Sequence, residues 1–222
     1  KGSEIMIKVV SFDLGKTLIK PVIQNSGLCK YIADNLKVSY MIMKPFYRSH
    51  FLERRISLSE FCAALGEDNQ EKVLCLIENY YSEKKYNGIY EDVLPTLSKL
   101  KAKGYRLVCI SNKPYCNFTY LSTYNLGSFF EAEIYSCDVG VAKPRPQIFQ
   151  KVQSLLGISS TEIIHVGDSL EGDVIGALCA NWQAVYLNRS VAIDGVKVDG
   201  FKFYSIINSL LQLPLVLENL NN

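Results

Sequence analysis

Short runs of consecutive apolar and β-branched residues recur along the chain, and segments with helical periodicity separate them. Such runs are typical of strands buried on both faces of a sheet. The pattern predicts strands at residues 8–12, 105–111, 132–136, 162–166 and 184–187, with a weaker strand and a helix within 201–211. Helices are predicted at 90–102, 115–124, 145–156 and 173–180, whereas 213–222 has no clear pattern. This alternation predicts an α/β fold, a Rossmann-like parallel sheet with right-handed crossovers and helices on both faces.

Residues 20–88 differ from the rest because they show helical patterns and almost no strand signal. They predict four helices, and therefore an inserted helical domain between two parts of a core, 1–19 and 89–222. The first helix is expected to begin after Asn25 or Ser26 and to end at Leu36, and the second to begin after Ser39 or at Pro45, which otherwise kinks it. A Ser57–Glu60 capping box begins the third helix, and the fourth covers 70–83.

Composition narrows the class of partner. The 222 residues include 24 basic and 22 acidic side chains, for a net charge of +2, so we expect no nucleic-acid binding. No apolar run approaches the ~18 residues that cross a bilayer, so we expect no membrane partner. The seven cysteines are scattered, which argues against a zinc motif. We interpret four of them as buried thiols of a cytoplasmic protein, a monomer or homodimer: Cys62, Cys75, Cys109 and Cys179.

Polar residues follow several of the predicted strands. Asp13 comes after the first strand, Ser111 and Asn112 end the second, and Asp168 follows a later one. Lys143 lies in a loop just before a predicted helix. Because the carboxyl ends of parallel strands meet at one edge, these side chains are expected to converge on a ligand site there.

Four segments around these residues resemble the motifs of the haloacid dehalogenase superfamily. They are Phe12–Leu18, Ile110–Lys113, Val141–Phe149 and His165–Asp173. The resemblance spans residues 8–181 in the expected order, and residues 20–88 correspond to the helical cap that family members carry after their first motif. It implies a hydrolase, mostly of phosphate esters, with a core and a C1-type cap domain.

The resemblance also implies roles for individual residues. Asp13 would be the nucleophile of an aspartyl-phosphate mechanism on a small phosphorylated metabolite, and Lys143 would assist catalysis. The implied phosphate-binding residues are Ser111, Asn112, Lys143 and Thr17. The implied ligands of Mg²⁺ are Asp13, the carbonyl of Gly15, Asp168 and Asp173. These residue types suit the chemistry, because hard oxygen ligands hold Mg²⁺ and a cation offsets the repulsion between carboxylate and phosphate.

Gly15 departs from the family pattern, which has a second aspartate at this position as general acid and base. Loss of that group predicts slow turnover, since general acid–base catalysis is typically worth ~10²–10⁴-fold. Two alternatives stay open: a weakly active or inactive homologue that binds phosphate or a partner, and a carbon-centred hydrolase. The latter resembles haloacid dehalogenases, or phosphonoacetaldehyde hydrolases with a cap lysine, here Lys37, Lys44 or Lys72.

Several residues keep a simpler interpretation. Asp173 either binds metal, orients Lys143, or is a first-turn helix acid that the helix dipole stabilises without any ligand. Thr17 could only support its turn, and Asn112 could only position a loop. Cap residues Lys44, Arg48 and Arg54 belong to a basic cluster that either binds a second anionic group or, as we favour, is simply hydrated. His165 is expected to be a buried core histidine rather than a catalytic one.

Overall fold

A computed structural model describes residues 6–20, 27–83, 88–114, 120–190 and 205–221. Its centre is one sheet of six parallel strands in the order β3-β2-β1-β4-β5-β6. The strands are β1 (Val9–Phe12), β2 (Arg106–Ser111), β3 (Ala132–Tyr135), β4 (Ile163–Gly167), β5 (Gln183–Leu187) and β6 (Ser205–Ile207). The predicted parallel sheet is therefore confirmed, and β1 lies at its centre, between β2 and β4.

Ten α-helices are present in the described ranges. They are α1 (Leu28–Leu36), α2 (Tyr40–Tyr47), α3 (Leu58–Ala64), α4 (Gln70–Glu83), α5 (Val93–Ala102), α6 (Tyr120–Thr123), α7 (Ser136–Val139), α8 (Pro146–Leu156), α9 (Gly176–Cys179) and α10 (Leu213–Leu220). Two further segments, Arg48–Leu52 and Leu170–Ile175, are π-helical. None of the helices in these ranges is both long and apolar enough to cross a bilayer.

Helices cover both faces of the sheet. Successive residues of a strand point to opposite faces, so Val10 packs with α5 and α10 while Val9 packs with α8 and α9. On the second face Trp182, the only tryptophan, is 2% exposed and meets the Phe149 ring edge-on at 5.3 Å. The core thus consists of two apolar layers that hold the carboxyl ends of β1, β2 and β4 in fixed register.

Helices α1–α4 enclose a third apolar cluster of their own. Phe61 is its centre, fully buried and stacked on Phe51 with ring centroids 4.2 Å apart. This cluster accounts for the helical pattern of the inserted segment, which we call the cap. The limits of the cap at residues 20 and 88 stay a prediction.

The cap helices follow the sequence pattern with local differences. The Ser57–Glu60 capping box is confirmed, and α4 has the predicted limits. Helix α1 begins after Gly27, and Asn25 and Ser26 lie outside the described residues. Pro45 lies inside α2 rather than at its start, and the backbone becomes π-helical three residues later.

The core differs from the prediction at three helices, and a fourth is only partly described. Helix α5 begins only at Val93 rather than at residue 90. Helix α6 is described only over Tyr120–Thr123, because residues 115–119 lie outside the described ranges. The segment predicted as one helix over 173–180 is π-helical up to Ile175, and α10 forms where no clear pattern exists. The prediction of buried thiols is wrong for Cys75 and Cys179, which are exposed on their helices, whereas Cys62 and Cys109 are buried.

Candidate active site

Asp13 stands at the carboxyl end of β1, where it is 8% exposed. Its backbone N–H donates to the carbonyl of Val166 at 2.9 Å, which continues the pairing with β4 by one residue. The Asp13 Oδ1 atom accepts a hydrogen bond from Lys143 Nζ at 2.6 Å and a longer one from Ser111 Oγ at 3.4 Å. Strand ends β1 and β2 and the loop before α8 therefore meet at this carboxylate, as the sequence predicts.

Lys143 is 5% exposed, and its ammonium uses three donors. They bind Asp13 Oδ1 and Asp173 Oδ1, each at 2.6 Å, and the carbonyl of Ile110 at 2.8 Å. Burial disfavours the charged form, but the two carboxylates outweigh that cost and raise the pKa of Lys143. The ammonium therefore stays charged and places a permanent positive charge beside Asp13.

Asp173 is held on several sides. Its Oδ1 atom accepts from Lys143 and lies 3.3 Å from His165 Nε2, while Oδ2 accepts from the Ser169 N–H at 2.9 Å. Burial opposes ionisation, yet Lys143 and His165 hold the pKa of Asp173 below its usual range. A Cβ atom at Gly167 would overlap this carboxylate, so only glycine fits there.

His165 is buried and lies beneath the site, as expected of a core histidine. Its Nδ1 atom is 2.9 Å from Ser11 Oγ, and its Nε2 atom faces Asp173. Burial is the main cause that lowers the pKa of His165, so the ring is neutral near pH 7 and donates from Nε2 to the Asp173 carboxylate. This arrangement makes it a support for Asp173.

Asp168 completes a group of three carboxylates. Asp13, Asp168 and Asp173 offer oxygen atoms within 4.8 Å of one another. Burial and the negative charges of Asp13 and Asp173 raise the pKa of Asp168 to about 7. A cation would relieve this repulsion, and a divalent ion such as Mg²⁺ prefers carboxylate oxygens. The residues present therefore fit a hard metal ion.

The turn after Asp13 brings Gly15, Lys16 and Thr17 beside the site. Gly15 does not need glycine's conformational freedom, and a Cβ there would have no atom within 4 Å. Lys16 takes the left-handed conformation, with φ of 60°. Its positive charge offsets part of the rise in the pKa of Asp168. The Thr17 hydroxyl is fully buried and has no hydrogen-bond partner among the described residues.

Asn112 binds the backbone of the lysine loop with both ends of its amide. Its Oδ1 atom accepts from the Lys143 N–H at 2.8 Å, and its Nδ2 atom donates to the Lys143 carbonyl at 3.0 Å. Of the two interpretations of Asn112, phosphate contact and loop positioning, this geometry favours positioning.

Arg189, which follows β5, is absent from the sequence prediction. It donates to the carbonyls of Lys16 and Thr17 at 3.2 and 2.8 Å and binds Asp92 with two hydrogen bonds of 2.9 and 3.0 Å. Its guanidinium also stacks on Tyr90, 3.7 Å from the ring centroid. The position just after a predicted strand is the signal that marks Asp13 and Asp168, and it would have identified Arg189.

A cavity of about 280 Å³ lies between the cap and the core. Lys44, Tyr47 and Arg48 line it from the cap, and Lys143 and Glu171 from the core. Arg48 is only 27% exposed and forms an ion pair with Glu53, so the interpretation of the basic cluster as hydrated is wrong for this residue. Lys44 has no ion-pair partner within the described part of the chain, and Arg54 is exposed.

Known proteins resemble this chain over most of its length. A family model described as haloacid dehalogenase-like hydrolase matches residues 7–181. The glyceraldehyde 3-phosphate phosphatase of Methanothermobacter thermautotrophicus is 29% identical over 96% of this chain and 100% of its own. The phosphoglycolate phosphatase of Nitrosococcus oceani is 31% identical over 68% of each chain.

Two further matches are a partial sequence match and a structural one. The glyceraldehyde 3-phosphate phosphatase of Methanopyrus kandleri is 30% identical over 56% of this chain, and the aligned part spans about half of that relative, 55%. The crystal structure of a 2-haloacid dehalogenase from Pseudomonas syringae superimposes with a TM-score of 0.65 at 24% identity, covering 96% of this chain and 99% of its own. At that identity the likeness shows the fold alone.

Proposed function

Because this chain belongs to the haloacid dehalogenase-like hydrolases, we propose that it hydrolyses a small phosphorylated metabolite with Asp13 as the nucleophile. The observation that carries the proposal is the contact of a buried ammonium, Lys143, with Asp13 and Asp173, beside the third carboxylate of Asp168. A nucleophilic carboxylate meets an anionic phosphate, and the charge of Lys143 offsets their repulsion.

The Asp13 carboxylate has one oxygen engaged and one available. Lys143 and Ser111 bind Oδ1, and no donor binds Oδ2 among the described residues. We propose that Oδ2 attacks phosphorus, so that an Asp13–phosphate bond forms while the bond to the leaving oxygen breaks. Water then attacks the same phosphorus, which releases inorganic phosphate and restores the carboxylate.

The carboxylates at the strand ends are proposed to hold Mg²⁺. Asp168, one Asp13 oxygen and the carbonyl of Gly15 are the proposed direct ligands. Both oxygens of Asp173 already accept hydrogen bonds, so we assign it to orienting Lys143. When bound, the ion would supply positive charge that draws nucleophile and phosphate together.

Gly15 determines which substrates turn over quickly. No side chain at this position can protonate the leaving oxygen, so the leaving group must depart as a stable anion or take its proton from water. Acyl and aryl phosphates meet this condition, and alkyl phosphates do not. We therefore propose slow hydrolysis of alkyl phosphates unless another acid takes over this step.

The cavity limits the size of the substrate. A volume of about 280 Å³ suits a phosphorylated molecule of a few carbons. Glyceraldehyde 3-phosphate and phosphoglycolate, named for the relatives above, are of this size. We propose a substrate of similar size, hydrolysed slowly if it is an alkyl phosphate as these two are, and Lys44 as the cavity residue that receives any second anionic group.

The direct test is phosphate release from acetyl phosphate and p-nitrophenyl phosphate with Mg²⁺. We expect release by the wild type, at least a hundredfold less with Asp13→Asn, and loss on chelation of the metal. Phosphate release equal in wild type and variant would reject the proposal.

A second function rests on Gly15: a protein that binds phosphate and metal without turnover. Saturable binding of Mg²⁺ and phosphate by calorimetry, without turnover of any phosphate ester, would favour it over hydrolysis. Wild-type turnover above that of Asp13→Asn excludes it.

Carbon-centred hydrolysis is the third candidate. Of the three candidate lysines Lys37, Lys44 and Lys72, only Lys44 lines the cavity, so it is the residue that could form an imine with a carbonyl substrate. Borohydride trapping with an aldehyde substrate, compared between wild type and Lys44→Gln, distinguishes that chemistry. The acidic group around Asp168 favours the metal-assisted phosphatase.

A further inference from the structure

The dipeptide Ala142–Lys143 has all four of its backbone polar groups bound by side chains. Asn112, from the core, takes both groups of Lys143. The cap takes both groups of Ala142: its N–H donates to Glu53 Oε1 at 3.0 Å, and Arg48 Nη2 donates to its carbonyl at 2.8 Å. The peptide that carries the buried ammonium is therefore held from two domains.

Arg48 and Glu53 act as one unit. Arg48 Nε is 2.8 Å from Glu53 Oε1, and the Glu53 side chain is 8% exposed. Its other oxygen, Oε2, lies 3.3 Å from Arg145. Because Glu53 neutralises Arg48 within the interface, the guanidinium is not left as a free charge for a substrate phosphate.

The π-helical segment explains how these two residues come together. Residues five apart on an α-helix point about 140° away from each other. From Arg48 the chain is π-helical, and the Glu53 N–H donates to the Arg48 carbonyl at 2.9 Å, a bond between residues five apart. The two side chains therefore face the same peptide, and the local geometry serves this contact.

We propose that Arg48 and Glu53 are positioning residues for Lys143, coupling the seating of the cap to the placement of the ammonium beside Asp13. Ala142 is 1% exposed, so without the cap its N–H loses the Glu53 carboxylate in a closed environment, while its carbonyl loses Arg48 and keeps the backbone N–H of Arg145, at 3.1 Å. A shift of this peptide moves Lys143, whose Nζ–Asp13 distance of 2.6 Å leaves little room for displacement. The catalytic part of this inference rests on the proposed phosphatase function.

The test combines amide exchange with kinetics in the full chain. Arg48→Met and Glu53→Ala remove one partner each, and Arg54→Met is the matched control, an exposed arginine of the same segment. The reporter is the Lys143 amide, which keeps its bond to Asn112. We expect its hydrogen exchange, measured by NMR, to quicken at least about fivefold in both variants and not in the control. With p-nitrophenyl phosphate, kcat should fall about tenfold while KM changes little.

Three outcomes decide the inference. Faster exchange at Ala142 alone, with Lys143 exchange and kcat unchanged, would overturn it, since the contacts would then only hold the cap. A double variant should behave like either single variant, and additive losses count against a single unit.

If thermal unfolding shows a variant to be unfolded, Arg48→Lys replaces it: lysine keeps the charge but cannot bind Glu53 and Ala142 in one plane, so intermediate exchange is expected and wild-type exchange overturns the inference. The exchange result stands even if no phosphate ester turns over, which separates this inference from the proposed function.

Discussion

Gly15 leaves a space next to Asp13, the proposed nucleophile. It lies two residues after Asp13, its φ is not in the left-handed region, and no atom would touch a Cβ there. Ordinary side chains therefore fit, and position 15 lacks an acid because of its residue rather than because of its backbone. Lys16, which follows in the left-handed conformation, is exposed and is no substitute for a carboxylic acid.

Gly15→Asp should quicken turnover in proportion to the need for a leaving-group proton. With an alkyl phosphate we expect kcat to rise ~10²–10⁴-fold, and with acetyl phosphate much less. Gly15→Asn, which has nearly the same shape but no proton to transfer, serves as the control. Equal gains on both substrates, or equal gains from Asp and Asn, would contradict the acid–base explanation.

Asp168 makes the stability of the metal-free protein depend on pH. Its pKa of about 7 in the folded protein exceeds the ordinary value of 3.8 for an aspartate. Between these values the folded chain holds a proton that the unfolded chain has lost. Stability is therefore lost as pH rises from about 4 to about 7, because the folded state then has to ionise a carboxylate among other carboxylates.

Asp168→Asn should remove this loss. With a chelator present and near pH 8, we expect its Tm to exceed that of the wild type by roughly 2–4 °C, about 1 kcal/mol, and the difference to disappear near pH 4. Mg²⁺ should raise the Tm of the wild type and have little effect on the variant. Thermal unfolding followed across pH measures both, and a variant less stable than wild type near pH 8 contradicts the stated cause.

At the scale of elements, the turn after β1 depends on a residue that follows β5. Arg189 joins the carbonyls of Lys16 and Thr17 to Asp92, which also accepts from the Leu210 N–H at 2.8 Å. Burial works against the charge of Asp92, but Arg189 and the Leu210 N–H bring its pKa below the usual value. The turn that presents Gly15 is thus fixed to α5 and to the segment before α10.

Arg189→Met should destabilise the protein by about 2–3 kcal/mol, because Asp92, with a side chain 9% exposed, loses its cationic partner and keeps only neutral donors, Ser209 and the Leu210 N–H, among the described residues. Adding Asp92→Asn should recover part of the loss. Lys20→Met is the matched control, since Lys20 also faces the Tyr90 ring but pairs with an exposed glutamate, and it should cost less than about 1 kcal/mol. Urea unfolding measures the free energy of unfolding of all three variants. Equal losses of stability for the arginine and lysine variants would contradict the inferred role of Arg189.

Local sequence signals predict some elements well and others poorly. The strands and the Ser57 capping box follow from periodicity and from hydrogen bonds between residues near in sequence. The strand-end rule likewise brings Asp13, Lys143 and Asp168 together. The contacts of Arg48 and Arg189 are different, because their partners, such as Ala142 and Lys16, lie about 100 or more positions away in the sequence. No local pattern encodes such contacts.

At the scale of the whole molecule, cap and core share one cavity. The core lines it with Asn112 and Lys143, and the cap lines it with Lys44 and two tyrosines. Lys143 in turn contacts the carboxylates of Asp13 and Asp173. Under the proposed function the chemistry and the choice of substrate would lie on different domains, so changes in the cap should alter selectivity without altering the nucleophile.

Lys44→Gln should reduce affinity only for substrates with a second anion. We expect KM for a carboxylate-bearing phosphate ester such as phosphoglycolate to rise about tenfold, with p-nitrophenyl phosphate unaffected. Lys37→Gln, at the end of α1 and outside the cavity, is the control. Equal changes in KM for both substrates would mean that Lys44 does not bind the second anionic group.

Trp182 gives the molecule a built-in optical probe. The only indole lies under the sheet, against Phe149, while the aromatic residues of the cap core are phenylalanines and tyrosines. Light near the red edge of protein absorption will excite that indole alone. Melting of the cap should consequently leave the emission unchanged, and the emission should shift only when the sheet comes apart.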